Sequence, residues 1–498
     1  MKAGRREWIG LAVLALPCVL YSMDLTVLNL AVPSLSAALE PGAAELLWIV
    51  DIYGFLVAGS LITMGTLGDR IGRRRLLLIG ATVFGLASTL AAFAATPAML
   101  IATRALMGVA AATLAPSTLS LIRNMFHDPH ERTVAISVWI MSYSAGAAIG
   151  PVIGGLLLEH FWWGSVFLIN VPVMLLLLAI GPVLLPESRD PGAGRMDLPS
   201  AALSLAAILL MIYGLKHLAE GGGFWIAAAT VSGGIAIAVA FVRRQARLPH
   251  PLLDLRLFRS HSFSAALAVN LLGFMTAFAT FLFVAQYLQS VLGLNPMQAG
   301  LWGLPAALAF IAGSMVTPQI VRRYAATQVI AGGMLVSAAG FLILAQVGGS
   351  QSPLALLVAG QIVFSLGLTP VAALTTDIVL ASAPPERAGS AAALSETSAE
   401  LGGALGIALM GSLVTAVYRV NFSGATLTGI PGAAVEAARS TIGGAVTVAG
   451  KLAGEPGARL LETSRLAFAE AFGAAAWVSA AIAVSVAALA IRLLRQRA

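Results

Sequence analysis

Residues 65–95 read GTLGDRIGRRRLLLIGATVFGLASTLAAFAA, a basic, glycine-containing segment followed by twenty residues without a charge. An α-helix needs about twenty apolar residues to cross the hydrocarbon core of a bilayer. Similar apolar blocks recur along the chain. Because backbone polar groups in lipid must pair internally, each block predicts a membrane-spanning helix. The short alternating segments typical of a transmembrane barrel are not found in the sequence.

The composition supports the same interpretation. The 498 residues are 59% hydrophobic and 10% charged, and the mean hydropathy is +0.91. A soluble domain could not cover that much apolar surface with polar groups. The single cysteine, Cys18, lies in the first apolar block, so no internal disulfide can form. That block, residues 8–33, is too long for a cleaved signal peptide and predicts a retained first helix.

Counting the apolar blocks gives fourteen predicted spans. They are residues 8–32, 45–67, 76–95, 98–125, 133–158, 165–185, 198–217, 224–242, 263–292, 296–321, 327–347, 353–381, 388–418 and 467–494. The predicted fold is an all-α integral membrane protein whose 14 transmembrane helices form two six-helix bundles plus an inserted helix pair.

The connections divide the chain into three parts. Residues 1–185 form the predicted N-terminal bundle, residues 186–261 a linker with two extra helices, and residues 262–498 the C-terminal bundle. Two further elements are expected outside the membrane: a surface helix at 252–258, and a periplasmic loop at about 419–466 with helical stretches at 433–439 and 458–468.

The placement of basic residues predicts the orientation. If the N-terminus is cytoplasmic, the arginines cluster in the inner connections, and the basic residues at the short outer connections are only His160 and, at the end of the seventh span, Lys216 and His217. This asymmetry follows the positive-inside rule and explains the net charge of +7 without nucleic acid. It predicts a protein of the bacterial cytoplasmic (inner) membrane with both termini cytoplasmic.

Charged residues inside the predicted spans require an explanation, because each costs about 2.5–3.5 kcal/mol near the membrane centre. Carboxylates outnumber the one deep arginine, so protons or cationic substrates are expected to neutralise some of them. The residues are Asp24 (first span), Asp51 (second), Arg104 (fourth), Asp377 (twelfth, near its inner end), and Glu396 and Glu400 (thirteenth).

Glu396 and Glu400 lie four residues apart, on one helix face and about 6 Å apart along the axis. Two close carboxylates in a low dielectric disfavour simultaneous ionisation, so at least one should take up a proton readily. A bound cation favours the ionised form and expels that proton, and this competition couples the two fluxes. In the alternative interpretation, the two glutamates only form hydrogen bonds to neighbouring helices.

The other intramembrane charges leave more than one role open. Asp24 is a candidate for proton or substrate binding, with a structural role as the alternative. Asp51 lines the outer path or belongs to a packing network. Arg104 pairs with a carboxylate, supporting proton coupling, or bonds backbone carbonyls. Asp377 is a candidate gate at a helix end or a surface residue.

Two glycine patterns predict conformational roles. In the segment 65–75, which is predicted to be the loop between the second and third spans, glycines permit a tight turn and Asp69 should cap the following helix and pair with arginines. In the fifth span, small residues share a face and a proline should kink the helix, which suits a seam between two rocking halves or ordinary packing. The residues are Gly65, Asp69, Arg70, Gly72 and Arg73 in the segment, and Gly146, Gly150, Pro151 and Gly154 in the span.

These motifs together resemble those of the major facilitator superfamily. Residues 65–75 are similar to its signature loop, Arg104 with Gly108 to its helix-4 motif associated with proton coupling, and residues 146–155 to the helix-5 motif of its antiporters. Asp24 with Thr26, Val27 and Asn29 resembles the helix-1 motif of the fourteen-helix drug:proton antiporters. Residues 47–53, 159–172 and 396–402 are similar to the branch of that family containing SmvA, LfrA and QacA.

The resemblance implies a monomeric, proton-coupled antiporter without cofactor or metal. It implies a protein whose partners are the lipid bilayer, protons and small lipophilic cations (quaternary ammonium compounds, cationic dyes and biguanide antiseptics), and which exports these cations by alternating access. One departure is the tenth span, 296–321, which lacks the acidic residue that some relatives use for divalent cations.

Two alternatives compete with this interpretation. An exporter of an endogenous metabolite or lipid would have the same fold, although several buried acids with one arginine favour cationic cargo. A membrane enzyme or receptor would need a catalytic or metal-binding cluster, and none of the six histidines lies deep in a predicted span. We therefore expect a transporter and not an enzyme.

Overall fold

The computed structural model confirms the predicted fold class. Its regular structure is entirely helical within the described residues, and fourteen helical segments there are long and apolar enough to cross a membrane. The described residues are 3–41, 43–189, 197–219, 223–249, 251–349, 352–384, 387–423, 430–452 and 454–493.

The first part of the chain contains nine helices. The short helix α6 and helix α7 together make the sixth span, and α8 and α9 are the inserted pair. The bounds are α1 (Arg5–Leu39), α2 (Ala43–Ile71), α3 (Arg73–Ala92), α4 (Pro97–Met125), α5 (Pro129–His160), α6 (Ser165–Leu168), α7 (Asn170–Leu184), α8 (Leu198–Ala219) and α9 (Phe224–Gln245).

The second part contains eight α-helices, and α10 ends in a π-helical turn (Tyr287–Val291). Of the eight, α15 and α16 are too short to span a membrane. The bounds are α10 (His261–Gln286), α11 (Pro296–Val321), α12 (Ala326–Leu344), α13 (Pro353–Ala381), α14 (Ala388–Ser423), α15 (Gly432–Ser440), α16 (Ile442–Ala449) and α17 (Glu455–Leu493).

The ends of the elements differ from the prediction at several places. The helix predicted at 433–439 is confirmed as α15, and the stretch at 458–468 is the start of α17, which begins at Glu455. Helix α16 was not expected. The surface helix predicted at 252–258 is instead a five-residue 3-10 turn, Leu255–Arg259, which Asp254 caps by accepting from the Arg256 amide.

Several helices begin where the sequence supplies a capping side chain followed by proline. Thr96 accepts a hydrogen bond from the Met99 amide before α4, and Asn295 forms a capping box before α11. Asp128 caps α5, and its pKa lies below the ordinary carboxyl value because the amides of Glu131 and His130 donate to it. These caps fix the starts of the helices that carry the site.

Buried apolar side chains form two clusters. One consists mainly of residues from α1–α7, and the other mainly of residues from α10–α17. The second cluster also includes residues of the inserted pair and of α2: Ile208, Ile212, Phe241, Phe55, Ala58 and Ile62. We call the first seven helices the N-half and helices α10–α17 the C-half. The inserted helix α8 packs against both α2 and α14.

One face of the helix bundle gathers the starts of α1, α3 and α5. The Ala3 amide donates to Glu131 (2.7 Å), and the Arg73 amide donates to the carbonyl of Ser188 (2.9 Å). Arg6 reaches the carbonyl of Val183 at the end of α7 (2.5 Å). We call this the terminal face, because the first described residues lie there.

The segment 65–75 is not the loop that was predicted. Helix α2 continues to Ile71 and α3 begins at Arg73, so Gly72 alone connects them. Gly72 has φ +111°, and its amide donates to the Gly68 carbonyl (3.0 Å), as at a glycine that ends a helix. The prediction of a longer loop was wrong because the glycines before Gly72 keep helical geometry.

Candidate transport site between the two halves

Asp24 of α1 and Arg104 of α4 form a buried ion pair in the N-half. Arg104 Nη1 lies 3.1 Å from Asp24 Oδ2, and the two side chains are 0% and 4% exposed. Arg104 Nε also donates to the carbonyl of Ile49 (2.6 Å). Both contacts considered for Arg104, with a carboxylate and with a backbone carbonyl, are therefore present, and the charge of Asp24 is compensated within its own half.

Aromatic rings surround this arginine. The guanidinium carbon of Arg104 lies 5.1 Å from the centre of the Tyr53 ring and 5.9 Å from that of Phe167. The Tyr53 hydroxyl and Arg104 Nη2 are buried and have no hydrogen-bond partner among the described residues. Beside the ion pair there are thus two buried polar groups that the described protein atoms do not satisfy.

Glu396 and Glu400 lie one turn apart in the uninterrupted helix α14, and both are half-buried. The Tyr21 hydroxyl of α1 donates to Glu400 Oε1 (3.1 Å), a contact between the two halves. Within the described part of the chain, no hydrogen bond or ion pair reaches the Glu396 carboxylate. The C-half therefore holds a carboxylate pair in an environment different from that of Asp24.

Aromatic side chains of the N-half face this carboxylate pair. The Tyr21 ring lies 5.4 Å from that of Tyr143 and 6.1 Å from that of Tyr53, and the Tyr143 ring lies 4.8 Å from that of Trp139. Aromatic faces attract organic cations through the ring quadrupole. Carboxylates beside a group of aromatic rings can hold a lipophilic cation by charge and by stacking at once.

Asp69 connects the halves at the terminal face. It accepts hydrogen bonds from the Ser390 amide (3.0 Å), the Ser390 hydroxyl (2.7 Å) and the Gly389 amide (3.4 Å), at the first turn of α14. Its carboxylate also forms an ion pair with Arg73. A negative charge at a helix N-terminus is stabilising because the free amides there carry partial positive charge.

This contact corrects the prediction that Asp69 caps the following helix. The N-cap of α3 is Gly72, which makes no side-chain hydrogen bond, and Asp69 caps α14 of the other half instead. The reason is that α2 continues past Asp69 and carries it to the start of α14. Arg73 pairs with Asp69 as expected, and its Nη1 donates to the carbonyl of Gly65 (2.7 Å).

Further contacts join the halves on the same face. Asp377 of α13 lies 2.7 Å from Arg132 Nε and accepts from the Thr133 hydroxyl (3.2 Å), both on α5. Arg123 at the end of α4 donates to the carbonyl of Ala383 (2.5 Å). We call these contacts, together with those of Asp69, the terminal-face clasp. The clasp holds the two halves together at this end in the structure.

The glycines of α5 pack within the N-half. A Cβ at Gly146 would collide with the carbonyl of Val19 on α1. A Cβ at Gly154 would lie 2.9 Å from the side chain of Val27, also on α1. Gly150 is also buried. Gly146 and Gly154 therefore allow the close packing of α5 on α1. Gly65 is a small residue at the junction of the halves, where a Cβ would lie 2.7 Å from the Gly389 carbonyl.

Other predicted site residues add less. The side chains of Asp51 and Pro151 lie outside the described part of the structure, and Arg70 is half-buried at the end of α2. Among the described residues, no three His, Cys, Asp or Glu side chains are grouped so that they could hold a metal ion.

Sequence reasoning missed Tyr21, which joins the halves through Glu400. The available signal was its position three residues before Asp24, which places both side chains on one face of α1. It also omitted Glu470, an exposed carboxylate within the last membrane-spanning helix.

Fourteen helices of membrane-spanning length within the described residues, two apolar cores and charged side chains that meet between the halves are typical of a membrane transporter. The sequence model of the Major Facilitator Superfamily matches residues 14–407, and the chain belongs to this superfamily. It is a transporter related to multidrug efflux pumps and not an enzyme.

Similar proteins support this assignment. The chain is 41% identical to the multidrug efflux pump LfrA of Mycolicibacterium smegmatis, over 97% of its length and 95% of that protein. It is 37% identical to the methyl viologen resistance protein SmvA of Salmonella typhimurium, over 93% of each chain. The crystal structure of a human organic anion transporter, MFSD10, shares the fold with a TM-score of 0.64 at 15% identity, covering 98% of this chain and 99% of that one.

Proposed function

We propose that this protein is an antiporter that exports lipophilic organic cations in exchange for protons. The carboxylate pair Glu396 and Glu400 is its shared binding site. The observation that carries this proposal is that two carboxylates lie one turn apart on α14, facing the aromatic rings of Tyr21 and Tyr143 across the boundary between the halves. Protons and organic cations are the two ligands that such a site accepts.

Competition at this site supplies the coupling. When the site is protonated, the two carboxylates do not repel one another, and no cation is held. A lipophilic cation that stacks on the aromatic rings favours the ionised carboxylates, so a proton leaves as the cation binds. Glu396 is suited to this exchange because no basic group in the described residues compensates it.

The Asp24–Arg104 pair has a different role in the proposed mechanism. Asp24 lies one turn from Tyr21, and Arg104 stacks on Tyr53, whose ring is 6.1 Å from that of Tyr21. A chain of contacts thus runs from Glu400 to the ion pair. We assign Asp24 and Arg104 to coupling, because their mutual charge compensation makes Asp24 a poor site for a cation.

The terminal face is cytoplasmic in this proposal, by the positive-inside rule. The clasped structure then corresponds to a state closed towards the cytoplasm, in which the carboxylates take up protons from outside. Protonation releases the clasp, the site turns inward, and a cation from the cytoplasm or inner leaflet displaces the proton. The binding site lies between the two halves, as alternating access requires.

Transport into inside-out membrane vesicles with an acidic lumen tests this function. The unaltered protein should accumulate ethidium only while the pH gradient lasts, and Glu400→Gln should accumulate none above background. Glu470→Gln is the matched control, because it makes the same chemical change at an exposed position of α17. Gradient-driven accumulation by Glu400→Gln at the control rate would refute the assignment of the site.

A second candidate function is export of an endogenous metabolite. The chain is 32% identical to the tetracenomycin C resistance and export protein of Streptomyces glaucescens, over 98% of its length and 91% of that protein. The same vesicles separate the two functions. Absence of ethidium uptake by the folded, unaltered protein, with uptake of a neutral polyketide, would favour the metabolite exporter.

A further inference from the structure

A lateral groove lies between α5 of the N-half and α11 of the C-half, near the terminal face. Its volume is about 780 Å³, and Met315 on its wall is 64% exposed, as expected for a groove that is open rather than closed. Its wall is largely apolar. The apolar residues are Val134, Val138 and Met141 on α5, and Met315, Val316, Pro318 and Ile320 on α11.

The end of the groove at the terminal face is basic. Arg322 and Arg323 lie at the end of α11, and His130 lies in the first turn of α5. Arg322 Nε donates to His130 Nε2 (2.9 Å), so both halves contribute to this end. Tyr324, 59% exposed, stands beside them. Among the described residues that line the groove none is acidic.

The wall also carries an unsatisfied polar group. Ser137 is 2% exposed, lines the groove, and its hydroxyl has no hydrogen-bond partner among the described residues. It lies seven residues after His130, which is about 10 Å along the helix. A ligand that is charged at the basic end and apolar along the wall could also offer an acceptor to Ser137, as the ester carbonyl of a glycerolipid does.

We propose that this groove binds one anionic phospholipid from the leaflet next to the terminal face. Its phosphate lies against Arg322 and Arg323, and an acyl chain follows the apolar wall. Basic pockets between membrane helices attract acidic headgroups, and arginine forms charge-assisted hydrogen bonds with phosphate. A lipophilic cation does not fit, because the two arginines repel it.

The lipid would contact both halves on the face where the clasp holds them. Its headgroup contacts Arg322 of the C-half and lies next to His130 of the N-half. Its acyl chain lies between α5 and α11. Binding therefore adds to the contacts that keep this end closed. The site is separate from Glu396 and Glu400 and does not depend on the identity of the exported cargo.

Native mass spectrometry of the purified full chain tests the site. Titration with phosphatidylglycerol should give a one-lipid complex at least about tenfold tighter than titration with phosphatidylcholine. Arg322→Gln/Arg323→Gln should remove that preference. The control is Arg243→Gln/Arg247→Gln, which removes two exposed arginines at the end of α9 and should leave the preference within about twofold.

A second variant fills the groove without changing charge. Val138→Trp should weaken phosphatidylglycerol binding to the level of the double arginine variant, and an unchanged melting temperature would show that the protein is folded. Equal binding of the two lipids by the unaltered protein, or equal behaviour of the two double variants, would overturn the proposal. So would unchanged lipid binding in Val138→Trp together with weakened ethidium binding, which would make the groove a path for cations.

Discussion

The two halves differ in whether a basic side chain compensates their intramembrane carboxylates. In the N-half, Asp24 is 4% exposed at its side chain and paired with the fully buried Arg104. In the C-half, Glu396 and Glu400 are half-buried and lie beside one another, and Glu396 has no ion pair among the described residues. A compensated carboxylate keeps its charge and its position. A carboxylate beside another carboxylate can exchange protons and cations, and in the proposed mechanism this difference assigns Asp24 to coupling and the two glutamates to binding.

The largest expected loss of stability comes from breaking the buried ion pair between Asp24 and Arg104. Arg104→Met leaves the Asp24 charge uncompensated and should destabilise the protein by about 3–5 kcal/mol, since removing one partner of a buried pair is strongly unfavourable. Glu396→Gln should change stability little, because it removes no partner. Thermal unfolding in detergent, followed by tryptophan fluorescence, compares the two variants.

The double variant Asp24→Leu/Arg104→Met sharpens that comparison. It removes both charges and should recover most of the stability lost in Arg104→Met. If the single and double variants unfold at the same temperature, the pair is not the source of the loss.

A smaller effect on the contact between the halves is expected at the clasp, where Asp69 is a second buried carboxylate and is shared between the halves. Ser390→Ala removes the 2.7 Å hydrogen bond to Asp69. Hydrogen bonds to charged groups are worth about 1.5–3 kcal/mol. The fraction of molecules in which the clasp is open should therefore rise about tenfold or more. Distances between spin labels on the terminal face measure this population. Ser485→Ala, whose hydroxyl bonds only within α17, should leave it unchanged.

Tyr21→Phe directly tests the hydrogen bond between Tyr21 of the N-half and Glu400 of the C-half. The variant loses the 3.1 Å hydrogen bond to Glu400 and keeps the aromatic ring. The ionised carboxylate loses a donor, so ethidium uptake should shift towards higher pH with a rate loss of about tenfold or less. Tyr213→Phe on α8 is the matched control. An unchanged pH profile in Tyr21→Phe would show that this hydrogen bond does not tune the site.

The smallest effect on stability is expected for the partly exposed ion pair between Arg244 and Asp197. Hydrogen bonds from Arg244 and Ser200 lower the pKa of Asp197 from 3.8 to about 2. The pair therefore contributes above about pH 3.8 and loses its contribution as the pH falls through about 2. Because its arginine is 40% exposed, Asp197→Asn should not measurably change the melting temperature at pH 7. A drop as large as that of Arg104→Met would show that burial does not decide how much an ion pair contributes to the stability of this protein.

The sequence was sufficient for the spans and for the charges within them. Apolar length alone predicts fourteen helices, because lipid leaves the backbone no other way to satisfy its polar groups. The sequence indicated a carboxylate as one candidate partner of Arg104, but which side chains pair across helices could not be predicted. Nothing near Asp24 in the sequence indicates that its partner is Arg104, eighty residues away. Because residues 65–75 were predicted to form a loop, the contact of Asp69 with α14 was not predicted. Such contacts depend on how the halves meet, which local patterns do not encode.

Proton release on cation binding tests the central claim most directly. Purified protein in weakly buffered detergent near neutral pH is mixed with ethidium, and a pH indicator reports the protons released per cation bound. We predict release by the unaltered protein and by Asp24→Asn, and none by Glu396→Gln/Glu400→Gln. Undiminished release by the glutamate variant, with release lost in a folded Asp24→Asn, would contradict the account and move the exchange site to the N-half.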